Sequence, residues 1–565
     1  MAEQHADTDQ RADTGQRADA DPDHVDPITL EVVRNALVGI AEEAGAALRR
    51  TAYSPNIKER IDCSTAVFDA HGRMVAQAEH IPVHLGSMPL SVAAAREAFD
   101  TLDPGDQVLV SDPYAGGTHL PDWTLVAPIV DDDGTLLGFA ANRAHHSDVG
   151  GSAPGSMPAG ARDIFAEGLR IPPVKLYVAG EESRDLVAML LANTRTPRER
   201  LGDMRAQVGA NQLTANRLRA LAADLGVEGL QAAMAATLDH AERAMRAAIR
   251  DLPDGTYTFD DVMDGDGTGV GPIPIRVALT IDDGTVSCDL RGSSPQVPGS
   301  VNAPYAVTLS AAVYALRAVA APDLPANDGI RRVLEVLTDE ASIVNAAPPA
   351  SVAAANVETS QRIVDVLLGA FALAAPDRVG AASQGTMNNT LFGGTDPRTG
   401  EAFTYYETLG GGMGAGPWGP GASGIQSHMT NTKNTPIEAF ELAYPLRVVE
   451  YRLRDGSGGE GEHRGGEGLR RVLQVLTDDA TASLLTERRD HAPWGAHGGS
   501  DGGRGRNAVQ RAGSDADDEL PAKVSLELQR DDRLIVETPG GGGYGTVVSE
   551  RSDRTPPSDR ASDTP

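Results

Sequence analysis

A short stretch of histidines and acids offers the most visible chemistry in this sequence. Residues 119–151, HLPDWTLVAPIVDDDGTLLGFAANRAHHSDVGG, contain His119, Asp122, His145, His146 and Asp148. Neutral imidazole and carboxylate are the ligands that suit Mn, Fe, Co or Zn, and a site with few protein ligands leaves positions open for water or substrate. The pattern therefore indicates a metal site, although the same residues could be ordinary polar groups on turns of an acidic protein.

Strands on either side of this stretch must position these side chains. His119 and Asp122 follow the strand-like run DQVLVSD and a turn at Gly116 and Gly117, while His145 follows the apolar run LLGFAAN. Short runs rich in β-branched residues and bounded by glycine predict strands. We therefore expect two strand ends to converge and bring the imidazoles and carboxylates together.

Motifs for nucleotide binding and nucleophilic catalysis are missing from the sequence. There is no GxxxxGK[ST] phosphate loop and no GxSxG elbow, and GAGPWG (414–419) matches GxGxxG only formally, because Pro417 interrupts it. The run DDVMDGDGTGVG (260–271) lacks the EF-hand spacing and its closing glutamate, which predicts a solvated turn. Cys63 and Cys288 are far apart and support neither a disulfide framework nor a thiolate metal site.

The charge balance limits the class of partner. Asp and Glu number 80 against 49 Lys and Arg, for a formal net charge of -31. This excess repels phosphate backbones and anionic bilayers, so we expect no nucleic acid and no membrane partner. The first residues lack the order of a secretion signal and the most apolar helical stretch, 363–376, is too short to cross a bilayer, which predicts a cytoplasmic chain. A surface of hydrated carboxylates also favours a halophilic source.

The hydrophobic pattern predicts a mixed α/β (α+β), multi-domain chain with at least one large antiparallel sheet and a long helical pair. A helix begins at the N-cap Asp26 and Pro27, and leucine and alanine recur with helical spacing over residues 184–250. The predicted divisions are a disordered acidic tail (1–25), an N-terminal α+β domain with the metal site (26–180), a helical segment (181–255), a central α/β domain with a Gly-rich loop (256–440), a C-terminal β-rich domain (441–548) and a disordered tail (549–565).

Several long motifs in a fixed order resemble one family. They include SPNIKERIDCSTAVFDAHGRMVAQAEHIPVHLGSMPLSV (54–92), RAHHSDVGGSAPGSMP, GGGMGAGPWGPGASGIQSHMTNTKNTPIEAFELAYPLRV and TPGGGGYG. The chain resembles the hydantoinase B/oxoprolinase family over residues 27–545. The resemblance implies a B-type subunit of the ATP-dependent cyclic amidases that open N-methylhydantoin or 5-oxoproline, with the acetone and acetophenone carboxylases as relatives.

The resemblance also implies a division of labour within a hetero-oligomer. A separate A-type subunit uses ATP to phosphorylate a small cyclic amide, and the B-type chain opens the activated ring. The missing phosphate loop agrees with this division. The implied cofactors are a divalent metal ion in this chain (Mn, Zn or Fe) and ATP in the partner.

Site residues follow from matching this sequence to the family motifs. The matched metal ligands are Glu59, His119, Asp122 and His145, with the choice between His145 and His146 left open. The candidate catalytic residues are Asp148, His146 and Glu438, and the candidate substrate-binding residues are Asn431, Thr432 and Asn434. The GGGMGAGPWG run either brings backbone N–H groups close to an anionic intermediate or forms a structural turn.

Three functions of different classes are compatible with the sequence. The first is a hydrolase that opens a phosphorylated cyclic amide with the help of a metal. The second is a ligase in which the same pocket carboxylates a small ketone, and the third is a non-catalytic scaffold for the A-type subunit. A bound stoichiometric metal ion separates the first two from the third.

A salt series tests the interpretation of the acidic surface. If carboxylate repulsion destabilises the folded chain, its melting temperature rises from low salt to molar salt, where the Debye length falls to about 3 Å. The measurement is thermal unfolding in KCl and NaCl. Equal melting temperatures at both ends of the series would contradict the halophilic interpretation.

Overall fold

The computed structural model describes residues 25–78 and 81–547. The predicted disordered tails therefore lie outside the described residues, apart from Val25. Helix α1 (Pro27–Thr51) begins as predicted, because the Asp26 side chain accepts a hydrogen bond from the Thr29 N–H and Pro27 occupies the first turn. Its buried face consists of Val33, Leu37, Ile40, Ala41, Ala44, Gly45 and Leu48.

A large antiparallel sheet forms the centre of the N-terminal region. Its strands, in chain order, are β1 (Cys63–Asp69), β2 (Met74–Ala78), β3 (Gln107–Val110), β4 (Asp122–Val130), β5 (Leu136–His145), β6 (Val174–Val178) and β7 (Glu181–Glu182). They lie side by side in the order β2-β1-β5-β4-β3-β6-β7, and each neighbouring pair is antiparallel. Two helices accompany these strands, α2 (Pro55–Lys58) and α3 (Ser87–Glu97).

The predicted long helical pair follows the sheet. The pair consists of α5 (Pro197–Leu225) and α6 (Val227–Arg250), and the shorter helix α4 (Arg184–Ala192) precedes it. Gly226 alone separates α5 from α6, and its φ of 74° lies in the left-handed region that glycine adopts readily.

Opposite faces of β5 are buried by different helices. Ala140 packs in one core with α1, α5 and α6, and Asn142 donates to the Gln207 carbonyl of α5. Phe139 and Ala141 pack against α3 instead. Because side chains alternate along a strand, odd-numbered residues at the end of β5 face away from α5 and even-numbered residues face it.

A second, mixed sheet and its helices follow. The strands are β8 (Gly255–Met263), β9 (Ile273–Asp282), β10 (Thr285–Asp289) and β11 (Leu334–Leu337), and the helices are α7 (Tyr305–Ala320), α8 (Asp328–Arg331) and α9 (Ser360–Ala374). The sheet order is β11-β10-β9-β8, and only the β10–β11 pair within this sheet is parallel. A π-helical turn, Ala355–Thr359, leads into α9.

Two further antiparallel sheets complete the described chain. One contains β12 (Asn389–Thr395), β13 (Ala402–Glu407), β16 (Ala480–Leu485) and β19 (Lys523–Leu528) in the order β13-β12-β16-β19. Helix α10 (Ile437–Ala443) precedes the other sheet, whose strands β14 (Leu446–Arg454), β15 (Gly468–Val475), β17 (Arg506–Gln510), β18 (Asp517–Leu520) and β20 (Arg533–Glu537) have the order β14-β15-β20-β17-β18. The predicted mixed α/β class is confirmed.

Glycine-rich segments pack backbone against backbone beside these two sheets. The Gly541 N–H donates to the Gly466 carbonyl at 2.9 Å, and the Gly466 N–H donates to the Met413 carbonyl at 2.8 Å. A Cβ on Gly541 would lie 2.1 Å from the Met413 carbonyl oxygen, so only glycine fits at this position. Of the two interpretations of GGGMGAGPWG, this geometry supports the structural one.

Within residues 25–78 and 81–547, no helix combines the length and the apolar character needed to span a bilayer.

Gly541→Ala tests the close backbone packing of the glycine-rich segments. The new methyl group would push apart two backbone segments, and overpacking of this kind costs about 1–3 kcal/mol. We expect a lower melting temperature for this variant. Gly160→Ala is the matched control, because a Cβ at that position meets no atom within 4 Å. Identical melting of Gly541→Ala and wild type would contradict the close packing.

Candidate metal centre

Two imidazoles and a carboxylate meet where β4 begins and β5 ends. Asp122, the first residue of β4, is the antiparallel partner of His145, the last residue of β5. His119 lies one turn earlier, and the Asp122 N–H donates to its carbonyl at 3.1 Å. His119 Nε2 and His145 Nδ1 each lie 3.2 Å from Asp122 Oδ1, and 3.1 Å from one another. The predicted convergence of two strand ends therefore brings these three side chains together.

The spacing of these three atoms fits a divalent metal ion. Bonds of about 2.0–2.2 Å from a metal to nitrogen and oxygen place adjacent ligand atoms about 3 Å apart. The three donors lie at that mutual spacing, and a site with three protein ligands keeps a position open for water or substrate. All three residues are buried, and among the described residues they form the one group of at least three His, Cys, Asp or Glu side chains close enough to share an ion. The donor set suits Mn, Fe or Zn.

A backbone carbonyl orients His119. Its Nδ1 lies 3.2 Å from the Ala353 carbonyl oxygen, so a proton on Nδ1 leaves the Nε2 lone pair directed at the triad. Glu167 holds this segment in place, because its Oε1 accepts hydrogen bonds from the N–H groups of Val352 at 2.7 Å and Ala353 at 3.0 Å. Burial raises the pKa of Glu167 to about 7.

The second oxygen of Asp122 has its own partners. Thr118 Oγ1 donates to Oδ2, and Asn356 Nδ2 lies 3.2 Å from Oδ2 and 3.2 Å from His119 Nε2. His84 Nε2 lies 3.6 Å from the same oxygen, and His84 Nδ1 contacts Ser64 Oγ at 2.9 Å. Asn356 belongs to the π-helical turn, so a residue far along the chain completes the surroundings of the triad.

The charges around the triad favour an ionised Asp122. Burial opposes ionisation, but the surrounding imidazoles hold the Asp122 pKa well below its usual range. Burial also lowers the pKa of His145 and His84, so these rings are neutral at physiological pH and can offer lone pairs. Burial acts against protonation of His119 too, yet the Asp122 carboxylate outweighs it and raises the His119 pKa.

A small cavity of about 20 Å³ adjoins the triad. Besides His145 and Asn356, its polar lining is supplied by Asp62, His84, Tyr406, Thr408, Thr430 and Thr432. The Tyr406 ring stacks on His145 with centroids 4.7 Å apart, and the Arg60 guanidinium lies 4.6 Å from the centroid of Tyr406 on β13. The cavity therefore has room for about one water molecule beside the triad.

His145 rather than His146 belongs to the cluster. His146 follows it on the opposite face, where its Nε2 lies 3.0 Å from Gln207 Oε1 and its ring contacts Trp123 at 4.3 Å between centroids. This is the consequence of strand alternation at the end of β5. The sequence left open whether His145 or His146 joins the cluster, and this alternation places His145 there.

Asp148 lies in a loop outside the cluster. Its carboxylate accepts hydrogen bonds from the Gly155 N–H at 3.2 Å and the Arg195 N–H at 2.9 Å, and it pairs with the Arg195 guanidinium at 2.9 Å. These partners give Asp148 a role in fixing the loop, and the geometry does not bring it to the triad.

Glu59 is not brought to the triad either. It caps the C-terminus of α2, is partly exposed, and is absent from the group of potential ligands that unites His119, Asp122 and His145. Its neighbours in sequence lie closer to the cavity. Arg60 contacts the cavity residues Tyr406 and Thr408, and Asp62 lines the cavity itself.

The segment 429–441 contributes to the cavity through one predicted residue. Thr432 lines the cavity, and its Oγ1 lies 2.6 Å from Thr408 Oγ1. Asn434 donates instead to the Thr408 carbonyl at 2.8 Å, while Asn431 and Glu438 are exposed.

Asp62, Asn356 and Tyr406 escaped the sequence analysis. Asp62 lies within the quoted family motif, which was the signal that could have found it. Nothing near Asn356 or Tyr406 in sequence signals their position.

The chain is similar to named proteins over nearly all of its length. Residues 26–547 match the family described as Hydantoinase B/oxoprolinase. The 5-oxoprolinase 1 of Arabidopsis thaliana is 38% identical over 93% of this chain, but the match spans 42% of that protein. The B subunit of a putative D-/L-hydantoinase from Pseudomonas sp. strain NS671 is 32% identical over 94% of this chain and 92% of its own length.

Solved structures show the same architecture. The crystal structure of an ATP-dependent caprolactamase from Pseudomonas jessenii has a TM-score of 0.87 at 31% identity, covering 92% of this chain and 91% of that chain. A nucleotide-free acetone carboxylase has a TM-score of 0.85 at 20% identity, covering 92% of this chain and 76% of that chain, which is a likeness of fold. The chain thus spans about two fifths of the plant 5-oxoprolinase and most of the hydantoinase relative. It belongs to the hydantoinase B/oxoprolinase family.

Proposed function

We propose that this chain is the B-type subunit of an ATP-dependent cyclic amidase. It opens, by hydrolysis, a hydantoin or 5-oxoproline ring that an A-type partner has activated by phosphorylation. The observation that carries the proposal is the buried triad of His119, Asp122 and His145, whose donor atoms lie 3.1–3.2 Å apart beside a small polar cavity. The names of the similar proteins, a 5-oxoprolinase, a hydantoinase and a caprolactamase, support a cyclic amide as substrate.

The chemistry of the amide explains the need for activation and for a metal. Resonance makes an amide carbonyl carbon a poor electrophile, and phosphorylation of the carbonyl oxygen removes that resonance and creates a leaving group. When bound, a divalent cation supplies Lewis acidity and lowers the pKa of water from about 15.7 towards about 7. His119, Asp122 and His145 would hold that cation.

The remaining residues of the cavity bind and orient the reacting groups. The Asp62 carboxylate lines the cavity and accepts a hydrogen bond from attacking water, which turns an oxygen lone pair towards the ring carbon. The hydroxyls of Thr408, Thr430 and Thr432 offer hydrogen-bond donors and acceptors to a water molecule in the cavity. The Tyr406 ring, stacked on His145, closes one wall and limits access of bulk water.

An A-type partner is part of the proposal, and ATP is used by that partner in a hetero-oligomer. The sequence has no phosphate loop, and its match to 5-oxoprolinase 1 spans 42% of that longer protein. The relative of similar length is named as the B subunit of a hydantoinase. A phosphorylated ring released to water hydrolyses unproductively, so we expect a permanent interface of about 2,000 Å² or more.

The alternatives have less support. The acetone carboxylase likeness at 20% identity concerns the fold, so the ligase hypothesis gains no substrate argument from it. A scaffold needs no buried His-Asp-His triad with the donor spacing of a metal site. Hydrolysis in the cytoplasm, where the partner finds ATP, is therefore the function we retain.

Reconstitution with a partner tests the division of labour. Alone, the chain is expected to show no ATP turnover and no opening of 5-oxoproline, hydantoin or caprolactam. A mixture with an A-type subunit is expected to hydrolyse ATP and to open the ring. The two activities are measured as phosphate release and as ring-opened product. Robust ATP turnover by the purified chain alone would contradict the proposed division.

Substitution of the triad tests the metal role. His119→Ala and Asp122→Asn should lose most of the bound metal and nearly all ring opening, because each deletes a ligand atom or the charge that offsets the cation. Phosphorylation by the partner then continues as uncoupled ATP hydrolysis. The measurements are metal content after dialysis and the ratio of product to phosphate.

His146→Ala is the matched control for this series, because it removes an adjacent imidazole on the other face of β5. We expect its metal content to stay close to stoichiometric. Any loss of metal affinity or of activity should remain within the roughly 10–100-fold range of indirect effects. Full metal content and coupled turnover in both His119→Ala and Asp122→Asn would rule out the triad as the metal site.

A further inference from the structure

Glu167 is a buried carboxylate that the proposed chemistry of the metal centre does not use. It directly follows a short 3₁₀ turn, Ile164–Ala166, whose first N–H donates to the Pro349 carbonyl at 3.0 Å. Among the described residues, the polar partners of Glu167 are hydrogen-bond donors rather than a cation. A buried charge without a cation is costly, so a carboxylate at this position points to a role beyond packing.

One oxygen of Glu167 holds three donors of a short segment. Its Oε1 accepts hydrogen bonds from the Ser351 hydroxyl, from the Val352 N–H at 2.7 Å and from the Ala353 N–H at 3.0 Å. Hydrogen bonds to a carboxylate are roughly twice as strong as those between neutral groups. Glu167 therefore fixes the backbone of residues 351–353.

The segment 351–356 makes two contacts with the triad. The Ala353 carbonyl oxygen lies 3.2 Å from His119 Nδ1, and Asn356 Nδ2 lies 3.2 Å from Asp122 Oδ2. Only two residues separate the two contact points, and a π-helical turn begins between them. The segment that Glu167 holds therefore reaches both an imidazole and the carboxylate of the triad.

The carbonyl contact decides which nitrogen of His119 is available to a cation. With its proton on Nδ1, directed at the Ala353 carbonyl, the ring keeps a lone pair on Nε2. If the carbonyl shifts, the ring loses the partner that selects this tautomer and this orientation. The position of the backbone at residue 353 is therefore coupled to the geometry of the triad.

We propose that Glu167 is a positioning residue of the metal centre. It fixes the carbonyl that orients His119, and it fixes the start of the turn that brings Asn356 to Asp122. It acts through the segment 351–356 and not by contact with the cation. The inference rests on the proposed function only in taking the triad as the metal site.

Glu467 offers a control that is matched in its donors. Its Oε2 accepts hydrogen bonds from the Ser457 N–H at 2.6 Å, the Ser457 hydroxyl at 2.8 Å and the Gly458 N–H at 3.0 Å. One hydroxyl and two successive N–H groups thus meet one glutamate oxygen, as they do at Glu167. These donors belong to the connection between β14 and β15, in a different sheet from the triad.

The metal affinity of the full chain, without its partner, tests this role. Glu167→Gln keeps the size of the side chain and replaces the carboxylate with a weaker acceptor. We expect its affinity for Mn²⁺, and for Zn²⁺ in a second series, to fall by about tenfold or more, whereas Glu467→Gln should bind as wild type. Free Mn²⁺ is measured by electron paramagnetic resonance, and Zn²⁺ by competition with a chelator.

Ser351→Ala is a milder variant, because it removes one of the three donors and leaves both N–H groups. We expect its metal affinity to fall by about threefold. Wild-type affinity in Glu167→Gln, or an equal loss in Glu467→Gln, would overturn the proposal, and so would a wild-type chain that binds neither ion. If Glu167→Gln fails to fold, wild-type affinity in Ser351→Ala would overturn it.

Hydrogen exchange in the metal-free chain tests the same role without an ion. Peptides that span residues 351–356 should exchange faster in Glu167→Gln than in wild type, because the Val352 and Ala353 N–H groups have lost a carboxylate acceptor. The same peptides should be unchanged in Glu467→Gln. Unchanged exchange of this segment in Glu167→Gln would contradict the proposed anchoring.

These measurements separate the proposal from the proposed function. If Glu167→Gln binds metal as wild type while the reconstituted pair still opens rings, the positioning role fails and the amidase function stands. If Glu167→Gln weakens metal binding as expected while the pair never opens a cyclic amide, the positioning role is supported and the amidase function fails.

Discussion

The buried carboxylate of Asp122 is the group on which the rest of the site depends. Asp122 is 1% exposed, and an ion at that depth is costly unless charges and hydrogen bonds compensate it. Its compensating groups are Thr118, His84, His119, His145 and Asn356. Three potential ligand atoms meet there, since the His119 and His145 nitrogens face the same carboxylate oxygen. Under the proposed function, these three atoms would hold a divalent cation, which would supply the Lewis acidity for ring hydrolysis.

Segments that are distant in sequence meet at this carboxylate. The strands β4 and β5 supply Asp122 and His145 through their register, whereas Asn356 comes from the π-helical turn before α9. Tyr406 reaches the same place from β13 and stacks on His145. The site is therefore complete only when the sheets are packed together.

Local pattern was sufficient for much of the fold and for the convergence of the two strand ends, whereas the predicted ligand set came from the family motifs. Several features depend only on neighbours close in sequence. They are the N-cap at Asp26, the helical spacing of apolar residues in α5 and α6, and the strand ends that carry His119, Asp122 and His145. The choice between His145 and His146 needed the register of β5 and the position of α5 behind it. Asn356 and Tyr406 could not be found from the sequence, because only tertiary packing brings them to the triad. The environment of Asp148 is likewise set by a distant residue, Arg195.

X-ray absorption spectroscopy of the metal-loaded chain tests the central claim most directly. After loading with one equivalent of Mn or Zn, the account predicts a shell of nitrogen and oxygen ligands in which imidazole scattering corresponds to two histidines, His119 and His145. Asp122→Asn should abolish that spectrum at the same metal concentration. A shell with sulfur, or with no imidazole contribution, would contradict a metal centre built on this triad.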